Sequence, residues 1–147
     1  MSRASFAGRT ALLAACLVGC GCGSPTAPTA TPTPASDAIS LGSIAPAVGT
    51  LLHAGQTVTL TATLNYTLTS AASGQIAIII QDQLNRNLKP PGTQPAVAVM
   101  RGTSTAALSD TVTIPDSGVS SVTVFFPLIP AGATRTDVLI SVTYPVG

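Results

Sequence analysis

The sequence predicts an all-β protein, a single antiparallel two-sheet sandwich of about seven strands. Three observations carry that prediction. Charged residues make up only 7% of the 147-residue chain against 46% hydrophobic, Glu is absent, and Thr, Ala, Val, Ser, Gly and Pro dominate, a composition that favours strands over helices. From Asp37 onward, apolar residues recur with a period of two rather than 3.6. Pro and Gly clusters interrupt that alternation at short, regular intervals.

Taken in chain order, Ile39–Ile44 reads as the first strand, ended by Pro46. Thr57–Leu68 is the clearest. Val58, Leu60, Ala62, Leu64, Tyr66 and Leu68 face one way, and five threonines with Asn65 face the other. One dry face and one wet face mark an antiparallel sheet. The threonine row is a ladder one strand long on this reading, and threonine is simply a good strand former. Gln75–Gln81 follows, with Ile76, Ile78 and Ile80 in phase, and then a short strand at Val97–Arg101. Ala107–Ile114 sets Leu108, Asp110, Val112 and Ile114 on one face. Val119–Leu128 does the same with Val122, Val124, Phe126 and Leu128, and Asp137–Tyr144 closes with Val138, Ile140, Val142 and Tyr144. Turns are expected at Gly55, Ser73-Gly74, Pro115-Asp116-Ser117-Gly118 and Pro130-Ala131-Gly132. The layout resembles the immunoglobulin-like and fibronectin type III-like domains of bacterial surface proteins. The resemblance is architectural: the chain has no Trp, and no Cys after residue 22.

The first 37 residues have a different chemistry. Residues 1–9 carry Arg3 and Arg9 and no acid, and residues 10–19 form a short apolar run. A basic segment followed by such a run is the pattern of an export signal. The run falls short of the roughly 20 residues that span a bilayer, and Ile76–Ile80 is shorter still, so no transmembrane helix is expected. The run ends in Leu17-Val18-Gly19-Cys20. This resembles the lipobox of bacterial lipoproteins: an aliphatic residue, a small or branched one, Gly or Ala, then Cys. The resemblance implies diacylglycerol transfer to the Cys20 thiol, cleavage before Cys20, and acylation of the new amino terminus. Two or three acyl chains suffice for stable anchoring. Leu13-Ala14-Ala15-Cys16 fits the same pattern, but it leaves only about five apolar residues after Arg9, below the usual 7–15. Gly21 is not Asp, the residue that favours inner-membrane retention in proteobacterial lipoproteins, so the family pattern permits an outer-membrane or cell-surface location in a Gram-negative cell. Cys22 is left open as a second acylation site, a free thiol or an intermolecular disulfide. Residues 23–37 repeat Pro and Thr with nothing apolar larger than Ala. Such a segment is expected to be an extended, disordered spacer of about 3.1 Å per residue, roughly 50 Å in all. The expected organisation is therefore a signal peptide at 1–19, a lipidated Cys20 with its tether at 20–37, and a domain at 38–147.

Sites of chemistry are sparse. Beyond the signal, four basic residues (Arg86, Lys89, Arg101, Arg135) stand against five Asp, with no basic stripe for nucleic acid. No Asp lies in a calcium-loop pattern, no Cys-based zinc site is available to the domain, and neither a G-x-S-x-G elbow nor a phosphate-binding glycine loop occurs. No metal or other cofactor is expected. His53, the only histidine, has no partner identifiable by spacing. Gln81–Asn87 is the most polar stretch, and Asp82, Arg86 and Lys89 make it the best candidate for a functional loop. Tyr66, Phe126 and Tyr144 fall on the apolar phase, whereas Phe125 points the other way and is the aromatic to suspect of meeting a partner. These features lead to the expectation of a lipid-anchored cell-envelope module, structural or protein-binding and not an enzyme. Its partners are a membrane, through Cys20, and an envelope protein. The alternatives are a carbohydrate-binding module using Phe125 and a small hydrolase using His53.

Overall fold

A computed structural model describes residues 36–136 and 138–147. Cys16, Cys20, Cys22 and the Pro/Thr segment up to Ala35 lie outside the described residues. So does Asp137.

The described chain is all-β and antiparallel. Its six strands are β1 (Ala38–Ala45), β2 (Thr57–Ala77), β3 (Ile79–Asp82), β4 (Ala96–Thr113), β5 (Ser121–Pro130) and β6 (Leu139–Pro145). Two long strands replace four of the expected short ones. The stretches read as Thr57–Leu68 and Gln75–Gln81 join through residues 69–74 into β2, leaving β3 as a four-residue tail, and those read as Val97–Arg101 and Ala107–Ile114 join into β4. Hydrogen bonding links all six strands into one sheet in the order β1-β2-β5-β3, with β4 on β2 and β6 on β5. The long hairpin of β2 and β4 has two limbs. One holds β1 and β4 (Gly102–Thr113) on either side of β2 (Thr57–Leu68), and the other carries β5 against Gly74–Ile76.

Between the limbs the register shifts. Leu68 pairs with Gly102 and Ser73 with Met100, so β2 carries four residues where β4 carries one. A bulge of this kind leaves backbone groups without ladder partners. Side chains supply them. Asp37 Oδ1 accepts the N–H groups of Thr69 (2.7 Å) and Ser70 (2.9 Å), and Arg101 Nε donates to Ala71 O (3.1 Å). Gly102, inside β4 at the edge of the register shift, has φ +123, a conformation that favours glycine. Past the bulge, β2 crosses close to β5. A Cβ at Gly74 would lie 2.6 Å from Ile129 O, so only glycine fits there.

The expected alternation governs the core. Val58, Leu60, Ala62, Leu64, Tyr66 and Leu68 are all buried, as are Ile76, Ile78 and Ile80 and the whole Val122, Val124, Phe126, Leu128 set. Val142 and Tyr144 join the same cluster, while Val138 and Ile140 pack against it half-buried. Each fully buried Leu, Ile or Phe contributes about 1.5–3 kcal/mol, which is what holds these limbs together. Tyr144 also has a polar task, donating from its hydroxyl to Pro46 O (2.8 Å).

The threonine row is a correction to the one-strand reading. β4 presents a matching row, and hydroxyls pair across the two strands at Thr57–Thr113 (3.0 Å), Thr59–Thr111 (3.1 Å), Thr61–Ser109 (3.3 Å) and Thr67–Thr103 (3.0 Å). These cross-strand pairs bring side chains close enough to bond, and they leave an uncharged outer face.

Candidate functional site

The fold has two poles. At one, Ala38 opens β1 opposite Thr67, and Asp37 grips Thr69 and Ser70 of the β2 bulge. The chain therefore enters the domain here. Burial pushes the Asp37 carboxyl up, but the Ser70 hydroxyl, the two N–H groups and the Thr69 hydroxyl outweigh it and hold the pKa at about 2. At the other pole lie the 46–56 loop, the 83–88 hairpin tip, the 114–120 turn and residues 145–147. These segments are sewn together by hydrogen bonds. Leu52 N–H donates to Pro145 O and Gly147 N–H to Leu52 O, Val146 N–H donates to Ser120 O (2.9 Å), and the Gln83 amide bonds both Ser120 N–H (3.1 Å) and Gly118 O (2.8 Å).

The candidate residues divide between places. Asp82 ends β3 with its side chain buried. Its Oδ1 accepts the N–H groups of Leu84 and Arg86 (2.9 Å each), and its Oδ2 accepts Arg86 Nε (2.6 Å). This is an Asx-type turn that tolerates Asn85 at φ +59. Burial raises the Asp82 pKa, yet the bonds from the Arg86 N–H and guanidinium, the Leu84 N–H and the Arg86 charge leave it below the ordinary carboxylate value. Asp82 thus shapes the loop. Arg86, 63% exposed, directs the rest of its guanidinium to solvent above a shallow depression between the hairpin tip and Pro115, Ser117 and Val119.

Lys89 leaves this group. Its ammonium lies on Oδ1 of Asp110, a β4 residue on the apolar phase whose side chain is 4% exposed. Asp110 Oδ1 also accepts the Thr111 N–H (2.8 Å), while its buried Oδ2 has no partner. Phe125 lies mid-strand in β5, opposite Ile79 on one side and Ser141 on the other, and is half-buried rather than open. His53 is exposed. Its ring Nδ1 lies 3.3 Å from Gly147 O, and its backbone N–H donates to Gln56 Oε1. Among the described residues no Asp or Ser side chain meets its ring, and no cluster of three His, Cys, Asp or Glu is arranged to hold a metal.

Sequence reasoning missed the apolar side of the loop pole. Val48 (63% exposed), Leu51 (51%) and Leu84 (62%) are large apolar residues standing in its loops. Their signal was available: each is a large apolar residue in a stretch without strand alternation, beside Pro, Gly or polar neighbours. Asp110, a charge on an apolar phase, was a second such signal.

No protein-family profile and no curated protein matches the chain. Among solved structures it is similar to part of a beta-glucosidase from Listeria innocua, with a TM-score of 0.44, 16% identity, and coverage of 76% of this chain and 16% of that one. The same enzyme in complex with glucose gives a TM-score of 0.45 at the same identity and coverage. The chain thus spans about a sixth of that enzyme, and a likeness at this level carries no argument about activity. No helix among the described residues is long and apolar enough to cross a membrane.

Proposed function

We propose that this chain is an exported bacterial lipoprotein, anchored to a membrane of the cell envelope through lipid on Cys20, and that its domain is a non-enzymatic module presenting its loop pole to an envelope protein. The carrying observation is the order of the first 37 residues: Arg3 and Arg9, an apolar run, Leu17-Val18-Gly19-Cys20, and then a Pro/Thr spacer. Each part serves the next, since a lipid at Cys20 needs an extended spacer to lift a folded domain clear of headgroups. The point where the chain enters the domain, beside Asp37, supports the reading, because Val48, Leu51, Leu84 and Arg86 lie at the opposite pole of the domain from that entry. Exposed apolar groups beside a guanidinium suit a protein surface. A sugar would need an open aromatic plate, and Phe125 is half-buried. In the finer fold reading, the two limbs of the β2–β4 hairpin correspond to the two layers of an immunoglobulin-like sandwich, their apolar faces meeting in one core.

Intact mass spectrometry of the N-terminal peptide from the membrane fraction, beside a Cys20→Ser control, tests the anchor. The expected result is a terminus beginning at an acylated Cys20, absent from the control. A terminus that starts elsewhere, or a Cys20 without lipid, would overturn the proposal.

A further inference from the structure

The longest open edge of the sheet is that of β4, which pairs with β2 alone among the described residues. In an antiparallel ladder, successive residues alternate between turning N–H and C=O toward the partner strand and turning them away. Ile114 N–H donates to Gln56 O (2.8 Å), and the register runs unbroken from Thr57↔Thr113 to Leu68↔Gly102. Even-numbered residues of β4 therefore bond β2. Thr103, Thr105, Ala107, Ser109 and Thr111 turn their backbone groups to the open side.

One of these groups is already capped. Asp110 Oδ1 takes the Thr111 N–H, and Lys89 sits on the same oxygen. An inward-pointing charge and a lysine are devices that blunt a sheet edge. They act only at the Ile114 end. Thr103–Ser109 reads Thr-Ser-Thr-Ala-Ala-Leu-Ser, without charge or proline, and among the described residues no strand pairs with its outer edge.

We propose that Thr103–Ser109 pairs edge to edge with the same segment of a second copy of this chain, antiparallel about a two-fold axis near Ala106. The segment is self-complementary in that arrangement. Two copies of one edge meet through a two-fold axis. Centred on Ala106, the axis sets Thr103 opposite Ser109 and Thr105 opposite Ala107 on the outer face. Hydroxyl then faces hydroxyl at both ends, methyl groups meet between them, and no like charges oppose one another. The fold already uses such contacts, in Thr61–Ser109 and Thr67–Thr103. The same centring stops the pairing short of Thr111, whose N–H is occupied. This inference stands apart from the lipid anchor.

Sedimentation of the Cys20→Ser chain in reducing buffer tests it without acyl chains or disulfides. The expected result is a reversible dimer that Thr105→Pro weakens by at least about tenfold, since proline removes one intersubunit donor from each copy. That N–H is not used within the fold, so circular dichroism should be unchanged. Thr105→Lys, which places a charge on the edge, is the second variant should proline perturb folding, and it is expected to weaken the dimer as well. A wild-type edge that sediments as a monomer at every concentration, or a dimer that survives a folded Thr105 variant, would overturn the proposal.

Discussion

Asp82 and Asp110 are both carboxylates buried on the apolar phase of a strand, and both meet a cation from the segment joining β3 to β4, yet they do different things. Asp82 is locally complete: its partners lie two and four residues on, and both oxygens are bonded. Asp110 reaches 21 residues back to Lys89 and keeps a buried oxygen with no partner. The first builds a turn. The second ties two distant segments and stops the β4 edge. A buried charge is thus no single kind of feature, and its role follows from how far away its partners lie and whether they complete it.

The contrast can be broken most forcefully at Asp110. Asp110→Ala leaves the half-buried Lys89 ammonium unpaired and is expected to cost about 3 kcal/mol, the low end for a severed buried pair because Lys89 keeps some solvent. Replacing both partners, Asp110→Leu with Lys89→Met, should return stability to within about 1 kcal/mol of wild type or raise it. Urea unfolding of the two variants reads the difference. A double variant as unstable as the single one would show that the tie itself holds the fold.

A third carboxylate sharpens the comparison through pH. The Asp37 pKa is lowered from 3.8 to about 2 in the folded protein, so its contribution is fully present above 3.8 and is lost as pH falls toward 2. Thermal midpoints measured from pH 5 to pH 2 should fall more steeply in wild type than in Asp37→Asn. Parallel curves would mean that the Thr69–Ser70 clasp adds nothing to stability. The smallest effect is expected at Arg86. Its bond to Asp82 is mostly solvent-screened, and the two N–H groups remain to hold the turn, so Arg86→Ala should cost about 0–1 kcal/mol by urea unfolding. A larger loss would make the guanidinium, rather than the backbone, the shaper of the loop.

How much of this the sequence disclosed depended on range. Alternation is local, so the buried phases of β2, β5 and β6 could be read residue by residue, down to Tyr66, Phe126 and Tyr144 in the core. The polar character of the Asp82–Arg86 turn was equally legible. The joining of four expected strands into β2 and β4 was not, because the bulge at residues 69–72 is stabilised by Asp37 and Arg101 from outside it. The second threonine row was hidden for the same reason. Thr57 meets Thr113 only through register, which no single strand encodes. The candidate loop was misjudged as a unit because Lys89, three residues past Arg86, belongs to a contact with β4.

The clasp at Asp37 also determines how the molecule bears load. A pull on the chain at Asp37, resisted at the loop pole, runs along the length of β1. The seven register pairs between β1 and β2 are then sheared together instead of being peeled one after another, and the first group to resist is a carboxylate already bonded to Thr69 and Ser70.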